Sequence, residues 1–456
     1  MNMINIAWSG LQAAQLGMSV TSMNISNMLT SGYSRQGIIQ SSVVTMGQGG
    51  LSGGAGVQVE SIRRISDQYL TNQVWQSNSQ ANYYSLSNQY LSSLEKVIGT
   101  DSTSLGTGLD DFFSALNALT TQPESEANRQ QLLNQADSLA TRFNNMNDFI
   151  NSQRSAIASQ RNTLVEQMNT LTSGIADYNQ KIIQMESTGG NSNVLRDQRD
   201  ELVKQLSTYS DINVTEDSTG SYTVAMKNGQ PLVSGNVAGQ LNITTDSNGN
   251  QLLGLRFAES EFSLTPSTGG QLGALYDYET GDLADMQSSI QGMAEALTKV
   301  FNEQLAQGFD KNGEPGKPLF IFDLKNPDGI LKVNDLKPDE LALSANPDEQ
   351  GNGDNLQKLI DLKNQKVNIG GMGNMSLNEG AAAIISNIGI ASKKSQSELE
   401  AAQSVYEQSQ LQRNNLSSVN QDEEAINLQV YMQAYQANIK VISTGNQIFG
   451  DLLGLF

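Results

Sequence analysis

The stretch Ile4–Met28, INIAWSGLQAAQLGMSVTSMNISNM, sets Ile4, Ala7, Leu11, Ala14, Met18, Thr21, Ile25 and Met28 at alternating steps of three and four. That spacing is the seam of a coiled coil. At the opposite end Leu428, Met432, Tyr435, Ile439, Ile442, Asn446, Phe449, Leu453 and Phe456 repeat it. A seam-forming helix is therefore expected at each terminus. A solvated coiled coil would carry Glu and Lys on its flanks. Here residues 1–59 hold a single charged side chain, Arg35, and residues 425–456 hold two, Lys440 and Asp451, in a chain of net charge −20. Ser, Asn, Gln, Gly and Ala fill the flanks, and Gly10, Gly17 and Gly445 admit a second backbone at close range. Such faces suit packing against more protein, so both ends are expected to serve intermolecular assembly.

Inward from the N-terminus, residues 37–59 change to short alternations of Gly, Ser, Val and Ile and predict a loop with a strand or hairpin. Helical spacing returns from Asp67 to Ile98, then in a short helix bearing Leu109, Phe112, Phe113, Leu116 and Leu119, and then in a long helix opened by Pro123 near its first turn. Its stripe runs from Ala136 to Met185 with one four-residue stutter, a rod of roughly 75 Å at 1.5 Å per residue. A matching stripe from Ile385 to Leu416 predicts that the chain goes out on one set of helices and returns antiparallel on another. Between them, residues 212–278 alternate and offer Asn228-Gly229 and Asn248-Gly249 as hairpin turns, the pattern of a small antiparallel β domain. Leu283–Leu305 is again helical, and residues 310–367, with five of the eight prolines, predict an irregular surface-exposed elaboration. The expected fold is mainly α with an inserted β domain. Its parts are 1–36 with 417–456 for assembly, 37–206 with 279–306 and 376–416 as helical rod, 207–278 as β domain, and 307–375 as the elaboration.

The 456 residues include no Cys and no His, which removes disulfides, thiolate and imidazole chemistry and the usual zinc ligands together. Strong acidity argues against nucleic acid and anionic membranes. No run of about twenty apolar residues spans a bilayer, and the N-terminus lacks the basic and apolar regions of a Sec signal peptide. Gly50-Leu51-Ser52-Gly53-Gly54 matches G-x-S-x-G formally, but no histidine exists to activate the serine. Asp310-Lys311-Asn312-Gly313-Glu314 opens like a calcium loop, yet Pro315 and Ile321 occupy its required glycine and acidic positions, so a turn is expected. Asp422-Glu423-Glu424 fits the first turn of the last helix, with Asn420 as N-cap and Glu423 as its capping-box partner. No catalytic residue, metal site or cofactor is expected.

Several motifs carry a resemblance. Ala7-Trp8-Ser9-Gly10-Leu11, Asn24-Ile25-Ser26-Asn27 and Thr30-Ser31-Gly32-Tyr33-Ser34-Arg35-Gln36 resemble the N-terminal signature of bacterial flagellar rod, hook and hook-associated proteins. Within that family the Ser34-Arg35-Gln36 extension is most similar to the hook-associated protein 1 branch. Ile62-Arg63-Arg64-Ile65 with Asp67, Leu195-Arg196-Asp197-Gln198-Arg199-Asp200-Glu201-Leu202, Gly308-Phe309-Asp310 with Asn312-Gly313, and Ser418-Val419-Asn420 before Asp422-Glu423-Glu424-Ala425 follow in the expected order. Met28-Leu29 and Ser31 depart from the pattern, and the central region is short beside larger members.

The resemblance implies a structural protein of the extracellular flagellum at the hook–filament junction. It implies export by the flagellar type III apparatus, homo-oligomerisation in a tubular ring, and contact with hook protein and the next junction protein. Assembly residues are then Ile4, Leu11, Met18, Ile25, Met28, Gly32, Tyr33, Arg35, Leu428, Met432, Tyr435, Ile439, Ile442, Phe449, Leu453 and Phe456. A cytoplasmic export chaperone would hold Leu428, Tyr431, Tyr435, Ile439 and Ile442. Both ends are expected to be mobile in the free monomer and helical on assembly. The alternatives are another axial protein, such as hook protein or hook-associated protein 3, an extracellular coiled-coil adhesin, or a glycan- or peptide-cleaving enzyme. The last would need paired carboxylates on a cleft wall, and no spacing identifies such a pair.

Overall fold

A computed structural model describes residues 2–43, 54–101, 103–246, 251–264 and 268–454. In chain order the elements are α1 (Asn2–Ser26), β1 (Gln36–Ser42), β2 (Val57–Arg64), α2 (Gln68–Ile98), α3 (Leu105–Ala118), α4 (Glu126–Ser187) and α5 (Asn193–Tyr209). Then come β3 (Ile212–Glu216), β4 (Tyr222–Met226), β5 (Pro231–Ser234), β6 (Val237–Ala238), β7 (Gln240–Thr245), β8 (Gln251–Phe257) and β9 (Ser260–Ser263). The remainder is α6 (Gly270–Thr280), α7 (Asp282–Leu305), β10 (Phe320–Phe322), β11 (Leu331–Val333), α8 (Asp354–Asp361), β12 (Val367–Ile369), β13 (Gly373–Met375), α9 (Leu377–Ser417) and α10 (Gln421–Leu453). The fold is mainly helical, with an antiparallel β-rich region in the middle.

The chain forms two units, one of residues 1–81, 165–270 and 402–456, the other of residues 82–164 and 271–401. Helices α2, α4 and α9 contribute residues to both. These boundaries differ from the four parts expected from composition, because strands β3 to β9 share a unit with the terminal helices. The reason is local. Asn169 and Asn179 of α4 each reach a strand backbone, Asn169 donating to the Leu241 carbonyl (2.9 Å) and accepting from its N–H (2.7 Å). Asn179 does the same at Tyr222, at 2.9 and 3.0 Å.

In the first unit, β3-β4-β5-β6 and β7-β8-β9 are separate antiparallel sheets. Tyr222, Val224 and Met226 alternate inward along β4, and the Asn228-Gly229 turn joins β4 to β5 with Gly229 at φ +91. The Asn248-Gly249 turn and Gly50–Gly53 lie outside the described residues. The alternation expected through Tyr278 stops at β9. Residues 270–280 are helical, with Leu272, Leu275 and Tyr278 buried on one side of α6 at helical spacing.

In the second unit Ser104 caps α3 through its Oγ, which accepts from the Thr107 N–H at 3.2 Å. Phe112, Phe113, Phe301 and Phe320 are all within 1% of full burial, and Phe112 meets the other three with ring centroids 5.1 to 5.6 Å apart. Phe320 belongs to the stretch expected to be a surface elaboration. That expectation is corrected, since Leu319, Ile330, Leu331, Leu341, Leu343, Leu356 and Leu359 are buried as well. Polar residues on helices hold the segment in place, as Asn144 of α4 pairs with both backbone groups of Leu331 and Asn302 of α7 with those of Phe320. Arg129, 1% exposed, donates to the carbonyls of Pro123, Pro338 and Leu341. Pro123 lies ahead of α4 rather than in its first turn, because Ser125 starts the helix by accepting from the Asn128 N–H. Of the two long stripes, Met185, Ile385 and Leu416 are exposed, whereas Ala136, Leu139, Phe143, Met146, Ile150 and Ile157 are fully inside.

Candidate assembly interface

Helices α1 and α10 lie against each other along a line fixed by small residues. A Cβ at Gly445 would stand 2.9 Å from Ile4, at Gly10 2.8 Å from Asn438, and at Gly17 2.6 Å from the Tyr431 ring. Asn24 Nδ2 continues the line, donating to Glu424 Oε2 at 3.0 Å. Ascending positions on α1 thus meet descending positions on α10, an antiparallel pairing within one chain, whereas the sequence led to an intermolecular role for these two seams.

The line differs in detail from the apolar seam read in the sequence. Leu428, Tyr435 and Ile442 are half-buried towards α1, but alternate contacts fall one residue earlier, at Tyr431, Asn438 and Gly445. Met432 and Ile439 are 45% and 44% exposed, Phe449 and Leu453 more so, and Phe456 is outside the described residues. The glycines are the cause at Met432 and Ile439, while Phe449 and Leu453 lie past the Gly445–Ile4 contact at the start of α1. The glycines leave room on the contact line for a ring or an amide, and the bulkier aliphatic side chains fall on the outer flank. On α1, Leu11 is buried and Ile4, Met18 and Ile25 are half-buried, and Met28, in the turn past its end, is exposed. Ala13 and Val20 are also buried, since α1 packs on β1 and β2 too.

Below this helix pair the resembling motifs converge. Asn24, 1% exposed, has all its amide groups engaged. Nδ2 donates to the Gln36 carbonyl (2.9 Å) and to Glu424, while Oδ1 accepts from Tyr33 Oη (2.8 Å) and the Gln36 N–H (3.0 Å). Gly32, at φ +80, turns the chain here without the penalty a side chain would meet. Arg35 then grips the start of α10, Nε on Glu424 Oε1 at 2.7 Å and a terminal nitrogen on Glu423 Oε2 at 2.8 Å. The carboxylate of Glu423 therefore serves Arg35 instead of closing a capping box. Asn420 does act as N-cap, accepting from the Asp422 and Glu423 N–H groups.

The Leu195–Leu202 motif supplies the floor. Asp197 accepts from the Ser34 N–H (3.0 Å) and from Arg64 (3.0 Å), and Arg64 also reaches Asp200 at 2.6 Å. Tyr222 Oη donates to Asp200 at 2.8 Å, and the fully buried Arg199 lies 3.3 Å over the Tyr222 ring. Burial opposes charge on Arg64, but Asp200 and Asp197 outweigh it and raise its pKa. Burial, then the charges of Asp197 and Glu424, push the Tyr33 hydroxyl up to about 12. The cluster contains charge yet offers no activated nucleophile, and its geometry ties residues 24–36 to the first turn of α10. Sequence reading placed Tyr33 and Arg35 at the site and missed Asn24, Asp197, Asp200 and Glu424 as its framework. The isolation of Arg35 in an uncharged segment was the available signal, since a lone cation there needs acids from elsewhere.

Residues 91–320, half of the chain, match the profile of the flagellar hook-associated protein FlgK helical domain. The chain belongs to the flagellar hook-associated protein FlgK family. Membership makes it a structural component of the bacterial flagellum. Residues 412–455, which include all of α10, match the flagellar basal body rod FlgEFG protein C-terminal profile. Flagellar hook-associated protein 1 of Escherichia coli strain K12 is 27% identical over the whole of both chains, in an alignment of 547 positions against 456 residues here. The Bacillus subtilis strain 168 protein of the same name is also 27% identical, over 99% of this chain and 97% of that one. The solved flagellar hook junction protein FlgK from Burkholderia pseudomallei shares the fold with a TM-score of 0.68 at 17% identity, covering 76% of this chain and 100% of the other.

Proposed function

We propose that this chain is a structural adaptor of the hook–filament junction, reaching the cell exterior through the flagellar type III apparatus and assembling there into a tubular ring between hook protein and the next junction protein. One observation carries the reading. Around α10 the exposed apolar side chains are Ile426 (62% exposed), Val430 and Ile448 on one side, Met432 and Ile439 on another, and Phe449 and Leu453 past the end of its contact line with α1, with one cation, Lys440, among them. So many exposed apolar side chains on a helix that is paired along only one line make it a surface for further protein. Burying each side chain fully would contribute roughly 1.5–3 kcal/mol, less the cost of ordering it. Head-to-tail contact of identical chains through such a surface generates rings or helices.

The export chaperone proposed for Leu428, Tyr431, Tyr435, Ile439 and Ile442 would act before α1 and α10 pair, because four of these five face α1. Within the single chain the two terminal helices are already formed and paired, unlike the mobile ends expected from the sequence. The experiment is complementation of cells lacking the chain, with full-length protein or with protein truncated before Asn420, read by electron microscopy and swimming. Bare hooks with filament subunits lost to the medium, rescued only by the full chain, are expected. Normal filaments in the absence of the chain would overturn the role and favour an adhesin.

A further inference from the structure

In the second unit a cavity of about 310 Å³ is walled by α2, α6, α7 and α9, within the size range of small-ligand pockets. Three carboxylates line it, Asp277, Asp282 and Glu398, against one ammonium, Lys394. Tyr83 Oη donates to Asp277 at 2.6 Å, and Lys394 reaches Glu398 only at 3.9 Å from a position 72% exposed, so Asp282 and Glu398 are left with little compensation. Tyr83 and Tyr84 stand edge to face in the same wall, with ring centroids 5.1 Å apart.

Two further side chains lining the cavity are Tyr278, 3% exposed, and Ser395, 5% exposed. Neither hydroxyl has a hydrogen-bond partner among the described residues. A buried hydroxyl without a partner costs about 1–3 kcal/mol and marks a place where something else supplies one. Burial, and after it the charge of Asp285, also raise the pKa of Asp282 against the weaker opposing effect of Lys394.

We propose that this cavity binds an alkylammonium group, its N–H bonds shared between the carboxylates of Asp282 and Glu398 and the hydroxyl oxygens of Tyr278 and Ser395, with its methylenes against the tyrosine rings. The charge balance selects a cation over a neutral sugar or an anion. The aromatic wall suits an organic cation, which rings attract through their faces. The same group can arrive as a free amine or as the side chain of a lysine on a second copy of this chain.

The test uses the full chain at fixed ionic strength, with n-butylammonium chloride as probe and ligand-observed saturation-transfer NMR as readout. Saturable binding of n-butylammonium is expected, with none of n-butanol, and a loss of about tenfold or more in affinity in the Asp282→Asn, Glu398→Gln double variant. If that variant fails to fold by circular dichroism, Glu398→Gln alone and Tyr278→Phe carry the comparison, each expected to weaken binding. The two sources separate on assembly. Cross-linking by carbodiimide, which joins a carboxylate to an ammonium in contact with it, yields a lysine adduct between copies at Asp282 or Glu398 only if the neighbouring chain supplies the cation. Equal response to butanol, undiminished binding in the variants, or neither probe binding nor a cross-link would overturn the proposal.

Discussion

Replacing Gly17 by Ala sets two effects of opposite sign against each other. The added Cβ would stand 2.6 Å from Cε1 and 2.7 Å from Cδ1 and Cζ of Tyr431, far inside the carbon–carbon optimum of about 3.5–4.0 Å. The ring or the helix must move, and overpacking of this kind costs about 1–3 kcal/mol. Ala is meanwhile preferred to Gly inside a helix by about 0.8–1.0 kcal/mol. The expected net is a loss of about 1 kcal/mol. Gly450→Ala is the matched control, in the same helix pair but with nothing within 4 Å of the new Cβ, and should gain up to about 1 kcal/mol. Urea denaturation of the full chain, with hydrogen exchange along α1, reads both. Tyr431→Ala in the Gly17→Ala background should recover much of the loss in a double-mutant cycle. The close-approach argument fails if Gly17→Ala stabilises as much as Gly450→Ala, or if Tyr431→Ala does not change its effect.

Glu424, its side chain 2% exposed, and Glu423, 56% exposed, both pair with Arg35. Glu424→Gln should cost about 3–5 kcal/mol because it leaves a buried pair broken, and Glu423→Gln less than about 1 kcal/mol, as measured by urea midpoints. Tyr33 holds its proton more tightly in the folded chain, so its contribution is complete below the ordinary tyrosine pKa of 10.0 and lost as pH rises through about 12. Subtracting the alkaline denaturation profile of Tyr33→Phe should isolate a fall in that window. Ala258, in the β8–β9 turn, has φ +52, so Ala258→Gly should raise thermal stability by roughly 1 kcal/mol.

Periodicity made the long helices legible. Stripes on α4 and α9 and the Asn420 cap of α10 are set by side chains close in sequence, and repeats of three and four record which side is inside. What could not be read that way depends on partners hundreds of residues distant. Glu423 and Glu424 read locally as first-turn acids, but their partner is Arg35. The contact line of α10 followed glycines on α1 rather than its own bulkiest residues. The elaboration after Asp310 was misread because its turn chemistry is real while its burial comes from helices elsewhere. Asp310 does close a tight turn, accepting from the Asn312 and Glu314 N–H groups at 2.8 and 2.9 Å, yet Leu319, Phe320 and Leu331 beyond it are buried.

The paired amides of Asn144, Asn169, Asn179 and Asn302 grasp backbone at Leu331, Leu241, Tyr222 and Phe320, not the side chains there. Each therefore acts as an index pin. The strand it holds is free to change residue type, within the limits of its own packing, but not to slip by one position without losing two hydrogen bonds at once. Over evolutionary drift such segments should tolerate substitution far better than single-residue insertion or deletion. The permitted places to lengthen or shorten the chain are then the turns between pins, where no helix amide keeps count.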